Sequence, residues 1–507
     1  MNTLLLLLLS PLTQEAAPGV PWNARTVEHL YNRAAFGATP EEIARALAGT
    51  PEALVDALLA GFAEDERTFP YEVVHRPKPE DFPDQHDYFD ACAERRRRER
   101  LVIADYAAWW VEAMVASHDP LREKMVVFWH NHLVSSAADV KSYVAMIRQN
   151  ELFRREALGS FSRLLHAIVS DPAMMVYLDN DQNMVGNPNE NLAREIMELF
   201  ALGIGNYTEQ DIKEGARALT GWKTDDIATE PRLLPKLHDT GEKTILGRKG
   251  NFDAGDLVDI LLDQPACPRF IAFKLLRYFE GVEPEAARLA EYADFLKASD
   301  YEIAPFLRKL FLDPRFYREE IVGHRIAGPV EFVVGSARRL GASFPPKLLW
   351  LAASHTGQRL FEPPNVKGWE EGEAWIRTST LLGRGNVAGV LLGITKPSEV
   401  IQEVRSDGLS LMDDSRVSGY VPEVAMTALA GRLGAKGEGE LVERLAEQLL
   451  AVPLSGASRT VLVEFLAAER KRLGLEEAGL LGAGEKTEDL LRRLAHLILS
   501  LPEAQLN

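Results

Sequence analysis

Cysteine is nearly absent from this chain. Only Cys92 and Cys267 occur among its 507 residues. Two cysteines cannot build a disulfide framework or a zinc site made of cysteine ligands, so other interactions must hold the fold together. Whether these two cysteines pair in a single bridge is open at this point.

Long apolar runs and an excess of positive charge are also missing. No apolar run approaches the roughly 20 residues of a membrane-spanning helix. Lys and Arg number 57 against 75 Asp and Glu, which gives a formal net charge of −18. A field of that sign repels nucleic acids and anionic membranes, so we expect no nucleic-acid partner and no transmembrane span.

The standard catalytic motifs are absent as well. The sequence has no Walker phosphate loop, no dinucleotide fingerprint, no Gly-x-Ser-x-Gly elbow and no Cys-His nucleophile pattern. Candidate functional residues must therefore be sought among polar side chains in unusual surroundings.

Apolar residues at helical spacing dominate what the sequence does contain. Hydrophobic residues make up 46% and charged residues 26%, as in ordinary globular proteins. We predict a mainly α fold: a large multi-helix domain with one small β-hairpin and a C-terminal helical bundle. The predicted divisions are an N-terminal segment at 1–24, the main helical domain at 25–395, a linker or surface loop at 396–422 and a C-terminal helical subdomain at 423–507.

The N-terminus leaves the cellular location open. Leu4 to Leu9 resemble the apolar core of an export signal. The run is short, no Lys or Arg precedes it, and Pro11 follows closely. Both an exported and a cytoplasmic protein agree with this pattern.

Local patterns predict several element ends. Thr39-Pro40 with Glu42 is typical of a capping box with a first-turn proline, and Asp253 can cap a helix over residues 254–262. Residues 233–247 predict a hairpin whose turn is formed by residues 239–242.

Residues 187–203 (NPNENLAREIMELFALG) form the most unusual stretch. Asn187 can cap a helix there, and Pro188 suits its first position. Nearly every later residue is apolar except those on one stripe roughly 100° wide. The stripe consists of Asn191, Arg194, Glu195 and Glu198. We therefore predict a buried helix whose polar stripe faces an internal cavity.

Two interpretations of the stripe stay open. In the structural interpretation, Arg194 bridges neighbouring carboxylates such as Glu190 and Glu198, because buried charges must be paired. In the functional interpretation, Glu195 and Glu198 act as general acid and base or as metal ligands, while Arg194 holds an anionic group.

The string FWHNHL adds two histidines, His130 and His132. On a helix they diverge by about 200°, whereas on an extended segment or at a helix end they could share a ligand. The sequence hypothesis gives His130 a catalytic role and, as one alternative, a divalent metal ion held by His130, His132 and Glu198. The opposing interpretation is that each buried histidine is satisfied by a backbone group.

Other polar or aromatic residues are candidates for substrate contact. They occur near the two clusters above, at the predicted hairpin or in the proline-rich segment 360–386, where aromatic residues serve either to bind substrate or to pin a loop onto the core. The predicted substrate-binding residues are Asn191, Trp129, His238, Lys243, Asn365 and Trp369.

Several unusual strings occur together in a fixed order. They are RAAFGATPEEI, FWHNHL, SDPAMMVYLDN, NPNENLAREIMELFALGIGNYTEQDI with ALTGW, LHDTGEKTILG and LFEPPNVKGWEEGEAWI. From about residue 25 onward the chain resembles the bacterial family known as domain of unknown function 1800.

This resemblance implies a mostly helical protein without an established activity. Members are often exported and are often encoded beside proteins of domain of unknown function 1501, which look like sulfatases and alkaline phosphatases. The resemblance therefore implies an alternative to an enzyme: a non-catalytic helical scaffold or partner of such an exported protein. It carries no catalytic residue to this chain.

Overall fold

The computed structural model describes residues 19–60, 68–116, 119–225, 227–400, 415–421, 423–475 and 484–507. Most of the predicted N-terminal segment 1–24, with its signal-like leucines, lies outside these residues. So does more than half of the predicted linker 396–422. Among the described residues, no helix combines the length and the apolar character needed to cross a membrane.

Helices make up most of the described chain, so the mainly α prediction is confirmed. In chain order, α1 to α24 are Ala24–Ala34, Pro40–Leu47, Pro51–Ala60, Gln85–Ala116, Pro120–His132, Ala137–Val140, Tyr143–Glu156, Phe161–Ile168, Pro172–Tyr177, Asn191–Glu195, Glu209–Ala218, Ala254–Leu262, Ala266–Glu280, Ala286–Ala298, Ile303–Phe311, Pro329–Leu340, Pro346–His355, Thr378–Leu391, Pro397–Val400, Ser415–Ser418, Met426–Leu433, Glu438–Leu449, Gly456–Leu473 and Glu485–Ser500.

Two predicted helix starts are confirmed. The Thr39 side chain accepts a hydrogen bond from the backbone N–H of Glu42, whose carboxylate caps Thr39 in return. Asp253 forms the same reciprocal pair with Asp256 at the start of α12. Both boxes satisfy N–H groups that have no partner within the helix.

The single predicted hairpin is wrong. The described residues instead contain two small antiparallel pairs: β1 (Trp222–Lys223) with β2 (Arg232–Leu233), and β3 (Lys243–Ile245) with β4 (Arg248–Gly250). Pro235 begins a 3₁₀ turn where the first arm was expected, since proline cannot donate to a strand ladder. The turn between β3 and β4 is formed by Leu246 and Gly247, whose positive φ angles of 48° and 80° suit a tight hairpin.

The four C-terminal helices α21 to α24 pack on one another, as the bundle prediction requires. They also pack on the main body, because α24 contacts α18 and α22 contacts α16. One cluster of buried apolar side chains extends from Val27 to Leu499 among the described residues. The division into a main domain and a C-terminal subdomain stays a prediction.

Candidate functional site

The polar helix starts later than expected. It begins at Asn191, and Asn187 does not cap it, because Asn187 pairs with Met184 in a short β-bridge. The Asn183 side chain accepts a hydrogen bond from Asn189 N at 3.0 Å and so keeps this segment in a turn. The prediction of a helix starting at residue 188 is therefore wrong by three residues.

A π-helix follows α10 directly. Residues Ile196–Ala201, called the π-turn below, are wound more widely than an α-helix, and Leu202 N donates to Met197 O, five residues back, at 3.0 Å. π-helices are rare in proteins, and the single turns that do occur are often found at functional sites. The apolar residues Ile196, Met197 and Phe200 are fully buried, as the sequence predicts.

The carboxylates of the stripe lie at the edge of this buried element rather than in a closed internal cavity. Glu195 and Glu198 are both half-buried. The Tyr207 hydroxyl donates to Glu198 Oε2 at 2.7 Å. Burial, and then the hydrogen bond and charge of Glu198, raise the pKa of Tyr207 to about 12, so this hydroxyl keeps its proton.

The Glu195 carboxyl lies in surroundings that disfavour its ionised form. Burial raises its pKa above the ordinary value, and the nearby charge of Glu198 raises it further, whereas Arg194 and Lys367 lower it. Two neighbouring carboxyl groups thus have different surroundings: Glu198 receives a hydrogen bond and Glu195 is desolvated. We call Glu195, Glu198, Tyr207 and Lys367 the carboxylate site.

Charges from separate segments act on Glu195 and on Tyr177. Lys367 comes from the string PPNVKGW, and its charge lowers the pKa of Glu195. Burial raises the pKa of Tyr177 at the end of α9, and the charges of Asp139 on α6 and of Glu195 raise it further. Residues from strings that are far apart in the sequence therefore act electrostatically on this region.

Arg194 and Asn191 are directed toward other partners. Arg194 forms ion pairs with Glu209 at 2.8 Å and Glu190 at 3.2 Å, which agrees with the structural interpretation of this residue. The exposed Asn191 side chain donates to Asp179 Oδ2 at 3.4 Å. Among the polar residues of the stripe, Glu195 and Glu198 thus form the carboxylate site.

His130 supports the loop that carries Lys367. Its Nε2 accepts a hydrogen bond from Phe361 N at 3.1 Å. Phe361 has a φ of 69°, a conformation that costs a large L-residue free energy and needs support from its surroundings. Its carbonyl oxygen accepts from Ala137 N at 2.8 Å, so this one residue joins the loop to both α5 and α6.

Asn131 holds the same loop eight residues further on. Its Oδ1 accepts from Trp369 N at 2.6 Å. Gly368 lies so close that a Cβ there would be 2.2 Å from Asn131 Oδ1, and its φ is 84°. Only glycine fits this position, which explains the Lys-Gly-Trp order of the loop.

His132 holds the π-turn. Its Nε2 lies 2.9 Å from the carbonyl oxygen of Phe200 and must donate to it. His130 therefore carries its proton on Nδ1 and His132 on Nε2. Burial lowers the pKa of each imidazole to about 3, so both are neutral at physiological pH. We call residues 130–132 the HNH clamp.

The predicted metal set is not assembled. The two imidazoles are held by different backbone segments, and the described residues contain no group of three or more His, Cys, Asp or Glu side chains that could hold a metal ion. The geometry gives both histidines a positioning role. Each also bonds to a backbone group through Nε2, as the opposing interpretation expects, while its buried Nδ1 has no hydrogen-bond partner among the described residues.

The remaining predicted substrate contacts lie in several places. Trp129 is buried and donates to Ala157 O at 3.1 Å. His238 bonds to Thr220 O at 2.9 Å, and Lys243 is buried with its ammonium on Asp239 O at 2.6 Å, so both stabilise the strand region. Asn365 is exposed and accepts from Lys367 N at 2.9 Å, which shapes the loop beside the carboxylate site.

Trp369 packs its ring 5.4 Å from that of His130 and is buried, which agrees with pinning the loop onto the core.

Cys92 and Cys267 are both free, so they do not form a disulfide bridge with each other. The sequence interpretation missed Lys367, Tyr207, Tyr177 and Asp139. Lys367 is two residues from the predicted Asn365, but nothing in the sequence pairs it with Glu195.

Comparison with known proteins adds the family. A model of the family described as Protein of unknown function (DUF1800) matches residues 29–506, nearly the whole chain. The chain belongs to this family. The DUF1800 match spans the π-turn, the HNH clamp and the Lys367 loop, and it confirms the resemblance seen in the sequence. No curated protein and no solved structure matches the chain. The family description names no activity, so function must be argued from the geometry.

Proposed function

We propose that this protein is an enzyme that uses Glu195 and Glu198 for general acid–base catalysis. One observation carries the proposal: the neighbouring carboxyl groups of Glu195, at the end of α10, and Glu198, on the π-turn, have different surroundings. Carboxyl pairs whose surroundings differ in this way can divide the roles of acid and base. In this arrangement Glu195, whose pKa is raised by burial, acts as the acid, and Glu198, hydrogen-bonded by Tyr207, acts as the base or stabilising group.

The charges around the pair favour an uncharged substrate. The groups whose charges act on Glu195 and Tyr177 are the carboxylates of Asp139, Glu195 and Glu198 and the cations Lys367 and Arg194, and Arg194 is paired with Glu209. An anionic substrate would be repelled there, whereas a neutral glycoside or ester would not. Cleavage of a glycosidic bond is a reaction that two neighbouring carboxyl groups with different surroundings suit well.

A panel of 4-nitrophenyl glycosides and esters tests this proposal. We expect turnover of at least one glycoside, and a loss of about 10²–10⁴-fold in kcat/KM for Glu195→Gln and for Glu198→Gln. Glu190→Gln is the matched control, because Glu190 pairs with Arg194 on the same helix. Turnover that survives Glu195→Gln, or no turnover on any member of the panel, counts against the proposal.

A second candidate function is docking to an exported sulfatase-like partner, as the family resemblance implies. The loop after the π-turn favours it. Ile204 is 76% exposed and stands between Gly203 and Gly205, which have φ angles of 79° and 89°. We take this exposed apolar side chain as the candidate contact for such a partner. Ile204→Asp should abolish co-purification with that partner, while Val461→Asp, at an apolar side chain that is 59% exposed, should not.

A further inference from the structure

A separate pocket lies between α5, α13, the segment 324–331 and the loop 369–375. Its volume is about 230 Å³, smaller than the ~300–1,000 Å³ of drug-sized sites, so it suits one small molecule. It uses none of the residues of the carboxylate site. We call it the donor pocket, for the property described next.

Four side chains that line this pocket carry N–H groups without an acceptor among the described residues. Gln358 is 7% exposed, and its Oε1 accepts from Val330 N at 3.1 Å. A backbone N–H can be met only by the amide oxygen, so this bond fixes the orientation of the amide and leaves Nε2 as a donor. Gln358 Nε2 has no hydrogen-bond partner among the described residues, and Gln358 lines the pocket.

Asn131 repeats this arrangement. Because its Oδ1 accepts from Trp369 N, its Nδ2 is left as a donor, and no described residue accepts from it. The indole N–H groups of Trp369 and Trp375 also lack an acceptor among the described residues, although both side chains are more than nine-tenths buried. Trp375 Nε1 lies 3.9 Å from the position that a Cβ would take on the pocket residue Gly328.

The interior offers few acceptors in return. Glu331 is the buried carboxylate of the pocket, and both of its oxygens are engaged. Oε1 contacts Lys124 and Arg325, and Oε2 accepts from Gly328 N at 2.8 Å and Arg325 at 2.6 Å. None of these four N–H groups is among the fully enclosed polar atoms of the described residues, so each is accessible, and together they favour a ligand that is rich in hydrogen-bond acceptors.

The rim of the pocket carries exposed carboxylates, which are hydrogen-bond acceptors. Glu373 is exposed and has no ion-pair partner among the described residues, and the exposed Glu371 has only a long 4.0 Å contact with Arg277. Glu370 is paired with Arg377 at 2.5 Å. The cations that line the pocket are Arg277 and Arg325, and the exposed His324 lies beside them. A carboxylate would meet donors inside, and an ammonium group would meet Glu371 and Glu373 at the mouth.

We propose that the donor pocket binds a free α-amino acid, with the carboxylate directed toward Gln358, Asn131 and Trp375 and the ammonium group toward Glu371 and Glu373. Both ends of such a zwitterion find complementary groups, and its size agrees with the pocket volume. This site is independent of the proposed acid–base chemistry, since the two share no side chain.

Isothermal titration with each of the twenty protein amino acids, one at a time and at millimolar concentration, tests the proposal. We expect at least one to bind. Its amide, which lacks the carboxylate, and its N-acetyl derivative, which lacks the ammonium group, should each bind at least tenfold more weakly. If no amino acid binds, or if the amide binds as tightly as the acid, the proposal is overturned.

Isosteric variants locate the site. Gln358→Glu keeps the acceptor for Val330 N but replaces the donor by an oxygen, so binding should fall at least tenfold without loss of fold. Gln85→Glu adds the same charge at an exposed position and should bind as the wild type does. Trp375→Phe should remove one indole signal in a ¹⁵N spectrum, and that signal should shift on binding in the wild type. Unchanged binding in Gln358→Glu, or an unshifted Trp375 signal, overturns the assignment.

Discussion

At the residue scale, Glu195 is retained in a position that does not favour its ionised form. Its raised pKa means that the folded protein binds the proton more tightly than the unfolded chain does. The contribution of this group to stability is therefore largest at low pH and falls as the pH rises above the ordinary value of 4.5. A structural ion pair would show the reverse dependence.

The first prediction follows from this sign. Glu195→Gln removes an ionisable group that is penalised at neutral pH, so its melting temperature at pH 7 should equal or exceed that of the wild type. The difference should shrink below pH 4.5, where the wild-type carboxyl is protonated. Differential scanning calorimetry at both pH values measures this, with the exposed Glu464→Gln as control. A melting temperature several degrees below wild type at pH 7 would mean that Glu195 is structural.

Residue identity alone predicted part of the carboxylate site. Glu195 and Glu198 were found because they interrupt an apolar helix, a pattern that the sequence shows directly. Lys367 and Tyr207 were not found, because their proximity depends on how the 361–369 loop and the segment after the π-turn fold back. The role of the histidines also depended on backbone partners, Phe361 N and Phe200 O, which no sequence pattern indicates.

At the element scale, the HNH clamp and the π-turn form one support. The C-terminal end of α5 binds two irregular segments. His132 binds the π-turn, and His130 and Asn131 bind the Lys367 loop. A stripe calculated at 100° per residue assumes an α-helix throughout. The wider winding of residues 196–201 could not be predicted that way, because it depends on packing and on the bond from His132 to Phe200 O.

The second prediction concerns acid. The pKa of His132 is lowered to about 3, first by burial and then by the charge of Lys274, while the bond to Phe200 O opposes the shift. The imidazole of His132 therefore binds a proton in the unfolded chain but not in the folded chain. The free energy of unfolding decreases as the pH falls from about 6.5 toward 3. By pH 4.5 the loss is on the order of 2–3 kcal/mol for each such histidine.

Urea unfolding at pH 7 and pH 4.5 checks this prediction. His132→Gln keeps an N–H for Phe200 O and does not titrate, so it should lose less stability between the two pH values than the wild type by about 2–3 kcal/mol. His86→Gln, at an exposed histidine, should behave as the wild type. An identical loss in His132→Gln and wild type would show that this imidazole is not buried in neutral form.

At the scale of the whole molecule, the C-terminal helices and the main body share one interior. Arg384 on α18 donates to Gln505 Oε1 at 2.9 Å and to Ala327 O at 2.7 Å. Ala327 N donates to Gln505 O at 2.8 Å, so the last residues pair with the segment before α16. Helical spacing predicted the bundle, but its attachment relies on contacts between residues more than 100 positions apart, which spacing does not reveal.

The third prediction is that these parts unfold together. Because one apolar cluster crosses the proposed boundary between 25–395 and 423–507, calorimetry of the full chain should give one transition. Leu494→Ala, a fully buried change in α24, should lower the temperature of that whole transition, at a cost of about 2–5 kcal/mol. Two resolved transitions, with only the smaller one shifted by the variant, would mark 423–507 as an independent domain.

The central claim is that burial and the charge of Glu198 together raise the pKa of Glu195, which suits Glu195 to act as the acid of the pair. Its most direct test is ¹³C NMR titration of the Glu195 carboxyl in the wild type and in Glu198→Gln, assigned with Glu195→Gln. We predict a pKa above the ordinary value of 4.5 in the wild type and a lower pKa once the Glu198 charge is removed. A Glu195 that titrates at the ordinary value, and does so equally in both proteins, would contradict the proposed site.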